Sequence, residues 1–277
     1  MRKFILFVFA ILLSIPGLSK ELWQERLDEI KVPGYFAKGL PVYIKYKEKV
    51  DGYIVTGKFF PFDSRSETGY IILNFAKAST GESYVFKSPK DWVYTNDYLG
   101  NIAFDENGPG FEADKTYLFH YIAPGDPENK KCYDVDELHP LGYYTPFQFY
   151  DIDFDGKKEL LINDWSKIKG GNTYYSFELI DNKLVPKTGA PFDELINMDK
   201  IDSKNKSITR VSEDGCFEYI EFKYVLKKTH PHNPLTYPHQ EFQSWMSNSY
   251  IKDSVNTDFK LISIYEKLGD KEYRYNL

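Results

Sequence analysis

The sequence predicts an all-β fold, propeller-like or alternatively a β-sandwich, with one or two short peripheral helices. Three observations predict it. Tyr 23, Phe 21 and Trp 4 give 48 aromatic residues in 277, and aromatic side chains favour pleated, half-buried surfaces. Roughly a dozen short β-branched or aromatic runs recur between Gly, Asp, Asn and Ser turn signals. No rhythm of strand and long helix accompanies them, which argues against a parallel α/β sheet. With 42% hydrophobic and 27% charged residues, the chain is too apolar for disorder and too charged for a multi-span membrane protein.

The elements follow in order. Arg2 and Lys3 precede an apolar run, Phe4 to Ile15, which is too short to span a bilayer. Pro16-Gly17 breaks the run, and Gly17-Leu18-Ser19 offers small residues at a cleavage site. Residues 1–19 are therefore expected to be a secretory signal peptide, with 20–277 a single β-rich domain. No Cys follows the run as a lipid anchor would require. Lys20 to Ile30 reads as a short amphipathic helix with Leu22, Trp23, Leu27 and Ile30 inward, ended by Pro33-Gly34. Strands are expected at 42–46, 53–59, 70–75, 83–86 and 116–122, with turns at Asp51-Gly52, 64–69 and 79–81. Asn107-Gly108-Pro109-Gly110 is a turn, and 123–140 a polar loop region. Further strands are expected at 146–152, 159–162 and 173–180. Asp181-Asn182 then turns the chain into 183–186, and strands follow at 207–211 and 216–226. A closing hairpin, 260–265 with 272–275, turns at Gly269-Asp270. A second helix is expected near 240–251, with Phe242, Trp245 and Met246 inward.

Charge narrows the partners. Arg2 and Lys3 are the charged residues of 1–19, so 35 Lys+Arg less these two leaves 33 against 41 Asp+Glu, a net −8. An acidic surface disfavours nucleic acid and anionic lipid. Export permits a disulfide. Cys132 and Cys216 each sit in a polar stretch, and a loop bridge and two free thiols both fit them.

One motif carries chemistry. Asp151, Asp153 and Asp155 alternate and lead into Gly156, with Glu159 four residues after the third Asp. Carboxylates this close repel unless a cation holds them. Ca²⁺ takes six to eight hard oxygens, and acids at loop positions 1, 3 and 5 supply them. Gly156 permits the sharp turn, and the Lys157 carbonyl falls at position 7. A helical EF-hand would place Glu at position 12, where Ile162 stands, and the flanks read as strands. Glu159 at position 9 closes the set instead. The expected metal site is thus Asp151, Asp153, Asp155, Lys157 and Glu159, holding Ca²⁺. A plain acidic turn is the competing reading.

The string 149–162, FYDIDFDGKKELLI, resembles the Asp-x-Asp-x-Asp-Gly-x-x-Asp-Leu calcium loops of FG-GAP and VCBS-type (integrin-like) proteins, with Glu159 in place of the last Asp. Together with GGNTYYSFELIDNKLVPKTGAPFDEL, it is similar to a family of exported bacterial β-propeller-like proteins. That family includes a periplasmic inhibitor of lysozyme-like lytic effectors. The resemblance covers roughly residues 145–225. It implies a calcium loop and a non-enzymatic binding role, with a cell-wall-degrading enzyme as protein partner.

Weaker constellations point elsewhere. His230, His232 and His239 lie among prolines. A partner-binding loop suits them better than zinc, because no carboxylate or Cys stands at ligand spacing. Asp134/Asp136 and Asp105/Glu106 are acid pairs that could serve a glycosidase, but solvated loops explain them better. Tyr143-Tyr144 and Tyr174-Tyr175 offer rings for sugars, although adjacent strand residues normally face opposite ways. No nucleotide or nucleophile-elbow motif occurs. The sequence thus favours an exported, monomeric, calcium-binding protein that recognises another protein in the periplasm or outside the cell. The alternative is a glycan-binding module or carbohydrate-active enzyme of the envelope.

Overall fold

A computed structural model describes residues 20–34, 41–64, 66, 69–88, 110–130, 136–164, 172–192, 195–213, 218–226, 259–268 and 271–276. Several expectations lie outside the described residues: the signal peptide 1–19, Asp105, Glu106, the turn at 107–109, Cys132, Asp134 and Cys216. So do His230, His232, His239, the helix at 240–251 and the turn at Gly269-Asp270.

The fold is all-β. Helix α1 (Leu22–Asp28) precedes strands β1 (Val42–Tyr46), β2 (Ile54–Pro61), β3 (Gly69–Ala76), β4 (Ser83–Lys87) and β5 (Thr116–Phe119). One helical turn, α2 (Pro127–Lys130), leads to β6 (Phe147–Tyr150), β7 (Glu159–Asp164), β8 (Thr173–Ile180), β9 (Lys183–Pro186) and β10 (Leu195–Ile196). The rest are β11 (Lys200–Asp202), β12 (Ser207–Glu213), β13 (Glu218–Leu226), β14 (Phe259–Leu268) and β15 (Lys271–Asn276). Among the described residues they form three open five-stranded sheets. The first has the order β4-β3-β2-β1-β5. The second is β10-β8-β7-β6 with β9 also on β8, and the third is β11-β12-β13-β14-β15. Pairing is antiparallel except between β1 and β5, which run parallel with Tyr43 opposite Thr116.

Side-chain alternation stacks these sheets face to face, in sandwich fashion and without barrel closure. On β3, Ile71, Leu73 and Phe75 point into a core shared with Phe147, Leu160 and Ile162 of the second sheet. Tyr70 and Ile72 point the other way, onto Leu27, Trp23 and Ile30. That two-sided burial is why 70–75 reads as a continuous apolar run rather than an alternating one. The second sheet is covered on both faces as well. Leu160 and Ile162 face the first sheet, while Leu161 and Tyr174 join Ile208, Ile220 and Ile264 of the third. The layers therefore run α1, first sheet, second sheet, third sheet.

Helix α1 is shorter than the stretch expected. Leu27 is buried, and Trp23 and Ile30 pack beside it, but Leu22 is exposed. Leu22 stands about 80–140° around the helix from Ile30, Trp23 and Leu27, so it points away from the sheet they cover. Polar contacts complete the docking. Asp28 accepts from Lys20 Nζ (2.7 Å), Lys58 Nζ (2.5 Å) and Tyr43 OH (2.6 Å). Burial pushes the Asp28 carboxyl up, but these three donors outweigh it and hold it at about 2. The Gln24 amide also donates to Thr116 Oγ1 on β5 (2.9 Å).

Candidate metal centre

The acidic segment is the loop of the β6–β7 hairpin, closed by the pair Tyr150 and Glu159. Its residues alternate in chemistry. Ile152 is fully buried and Phe154 nearly so, both in the core between the second and third sheets. The alternate positions carry Asp151, Asp153 and Asp155 to the opposite side. Phe154 has φ +64° and Gly156 φ +92°. The left-handed conformation suits Gly156, whereas for an aromatic residue it costs roughly 1–2 kcal/mol. Burying the Phe154 ring offsets that cost.

The loop also touches both neighbouring sheets. Lys158 Nζ donates to Asp51 in the β1–β2 turn (2.6 Å). Lys206 Nζ reaches the Phe154 carbonyl (3.5 Å) from the β11–β12 turn.

Three carboxylates converge here. One oxygen each from Asp151, Asp153 and Glu159 lie within 4.8 Å of one another. Backbone groups fix an oxygen of each carboxylate: Ile152 N–H donates to Glu159 Oε2 (2.9 Å), Asp155 N–H to Asp153 Oδ1 (3.1 Å), and Gly156 N–H to Asp151 Oδ2 (3.1 Å). Asp151 Oδ1 is buried and accepts no hydrogen bond. An orphaned carboxylate oxygen is costly away from water, and a cation is the partner that suits it. Glu159 is buried, and burial is the main reason its carboxyl is pushed up to about 7. The charges of Asp153 and Asp155 add to the rise, and the Ile152 N–H and Lys187 oppose it.

Of the expected ligands, then, Asp151, Asp153 and Glu159 are brought together. Asp155 stands outside this group; its carboxylate accepts from Lys157 N–H (2.7 Å) and lies 3.8 Å from Lys157 Nζ. The Lys157 side chain is in solvent, as suits a residue asked only for its carbonyl. The hard, all-oxygen donor set and the orphaned oxygen fit a hard divalent cation, of which Ca²⁺ is one.

Sequence reasoning missed Lys187. It follows β9, and its buried ammonium donates to Asp153 Oδ2 (2.5 Å) and Glu178 Oε1 (2.8 Å), 3.8 Å from Glu159 Oε1. Burial pulls its pKa down, but these carboxylates more than compensate and raise it. Nothing in residues 149–162 points to a lysine so far along the chain. Only the β8–β9 hairpin, with Lys187 N–H on Ser176 O (2.9 Å), brings it back.

The sugar-binding candidates fare differently. Tyr174 is fully buried, and its hydroxyl donates to the carbonyls of Gly142 and Thr145, so it is a core residue. The Tyr175 hydroxyl donates to Asp164 (3.1 Å). Tyr143 and Tyr144 meet edge to face at 5.0 Å. Asp136 caps a turn, accepting from Leu138 N–H (2.8 Å) and His139 N–H (2.9 Å). No helix among the described residues is long and apolar enough to cross a membrane.

No family model matches the chain, and no curated protein matches it. Among solved structures, one similar chain is described as a Xanthomonas type IV secretion system related protein. It is 12% identical, with 84% of this chain and 86% of that one covered, at a TM-score of 0.41. Such a score falls short of a shared fold.

Proposed function

We propose that this is an exported, non-enzymatic binding protein whose β6–β7 loop is braced by Ca²⁺. One observation carries the metal reading: three carboxylate oxygens within 4.8 Å, beside a buried Asp151 oxygen that has no donor. Asp151, Asp153 and Glu159 hold the ion with the Lys157 carbonyl from the same loop, while Asp155 stays outside the group on the Lys157 N–H. The ion supplies charge neutralisation and a fixed turn. Its role is structural, because the loop contacts the first and third sheets through Lys158 and Lys206. The partner is a protein, of the class of cell-wall-degrading enzymes. Support for the partner and for export comes from the resemblance of residues 145–225 and from the N-terminal leader pattern.

Thermal melts with Ca²⁺, with Mg²⁺ and with chelator test the metal. Ca²⁺ should raise Tm, and Mg²⁺ should substitute poorly because it demands a tighter octahedral shell. An unchanged Tm in chelator, with no heat of binding at millimolar Ca²⁺, would sink this reading. Pull-down against a panel of lytic enzymes tests the partner, with a glycan array run in parallel. Binding to glycans but to no lytic enzyme would replace the inhibitor reading with the carbohydrate one.

A further inference from the structure

We propose that Lys187 is a tethered counter-cation of the acidic loop, which a bound divalent ion displaces from Asp153. The inference rests on the metal reading above and adds how the site is regulated. The Lys187 side chain is 6% exposed, and its ammonium bonds one member of the carboxylate group, Asp153, and lies 3.8 Å from another, Glu159. An ammonium and a metal ion that share these oxygens compete for the same lone pairs and repel each other. The residue is built to move. Its backbone N–H is fixed on Ser176 O, while a four-carbon stem carries the charge. Glu178 Oε1, 2.8 Å from the ammonium, lies outside the carboxylate group and is partly open to solvent. It remains as the partner once Asp153 turns to the metal. The Phe192 ring, 5.2 Å from the ammonium, shelters the charge on another side. Without metal, Lys187 neutralises part of the loop's charge; with metal, it lowers the affinity that three carboxylates would otherwise give.

Calorimetric titration of Ca²⁺ into wild type, Lys187→Met and Glu178→Gln tests this. Lys187→Met keeps the aliphatic stem and should bind Ca²⁺ tenfold or more tighter, roughly the effect of removing one nearby like charge. Glu178→Gln removes the second perch and should bind several-fold more weakly. In chelator Lys187→Met should melt below wild type, and Ca²⁺ should close that gap. Wild type that binds while Lys187→Met binds no tighter overturns the displacement and leaves the metal reading standing. Binding by Lys187→Met alone upholds the counter-cation and removes the native chain from the calcium-binding class. Silence from both proteins overturns both ideas. If Lys187→Met fails to fold, Glu178→Gln decides, and an unchanged affinity overturns the proposal.

Discussion

Asp151→Asn separates a metal ligand from a structural acid, because the two roles predict opposite signs. Asp151 has one oxygen on Gly156 N–H and one buried oxygen with no donor. With free Ca²⁺ at a hundred times Kd, binding stabilises wild type by about 2.7 kcal/mol. For a chain of this size that is a Tm rise of roughly 5–11 °C. Loss of one of three charges is expected to weaken binding about a hundredfold. At the same Ca²⁺ the gain then falls to about 0.4 kcal/mol. Chelator reverses the comparison. The amide keeps an acceptor for Gly156 N–H and turns an N–H towards Asp153 and Glu159. It relieves the repulsion and the unpaired oxygen, whose desolvation costs about 1–3 kcal/mol. Asp151→Asn should therefore equal or exceed wild type in chelator and fall below it in Ca²⁺. Differential scanning fluorimetry in both buffers reads the crossing. An equal loss of Tm in the two buffers would refute the argument and make Asp151 a framework residue.

Two further predictions concern other carboxylates. Asp28, held at about 2 against an ordinary 3.8, contributes stability that is present above about pH 4 and lost as pH falls towards 2. Asp28→Asn should cost up to about 2 kcal/mol at pH 7, and denaturant unfolding should show that gap narrowing at pH 2.5; a constant gap would contradict it. Asp199 is fully buried, accepts from Ile196 N–H (2.9 Å) and Val211 N–H (2.8 Å), and is pushed up to about 6 mainly by burial. Here the sign is opposite: its contribution is full below about pH 4 and declines as pH rises to 6, by at most about 3 kcal/mol. Asp199→Asn should flatten that slope in the wild-type-minus-variant difference, and an identical pH dependence of the two proteins would rule it out.

Much of the architecture was legible because local signals agreed with the burial they met. Thr173–Ile180 and Lys183–Pro186 carry strand residues around Asp181-Asn182. Both turn residues adopt positive φ (48° and 59°), as a tight hairpin turn requires. The strands β10 and β11 were missed. Two and three residues leave no period to detect, and Lys200 and Asp202 dilute the pattern. The acidic loop was legible through its aspartates, but not through Ile152 and Phe154, whose alternation with the acids fixes which side each faces. Leu22 failed because it stands about 80–140° around the helix from Ile30, Trp23 and Leu27, off the stripe those three share. Lys187 was invisible for a different reason. Its role depends on the register of a hairpin outside the motif, and a single lysine after a proline has no spacing to read.

The parallel pairing of β1 with β5 has a consequence for how the chain assembles. Nearly every other pairing joins consecutive strands, so the sheets grow largely as meanders from shorter closures, the one from Leu226 to Phe259 being the longest between consecutive strands. Tyr43 opposite Thr116 is different, because a long stretch of chain must close before β5 gains its partner. The same strand carries Thr116, the acceptor for Gln24 of α1, so helix docking and β5 addition share an anchor. Three meanders should thus form early, with β5 and α1 joining the first sheet late. Pulse-labelling of amides during refolding should protect β7 before β5. Simultaneous protection would mean that the long closure is not a separate step, and that the stack condenses as one cooperative unit.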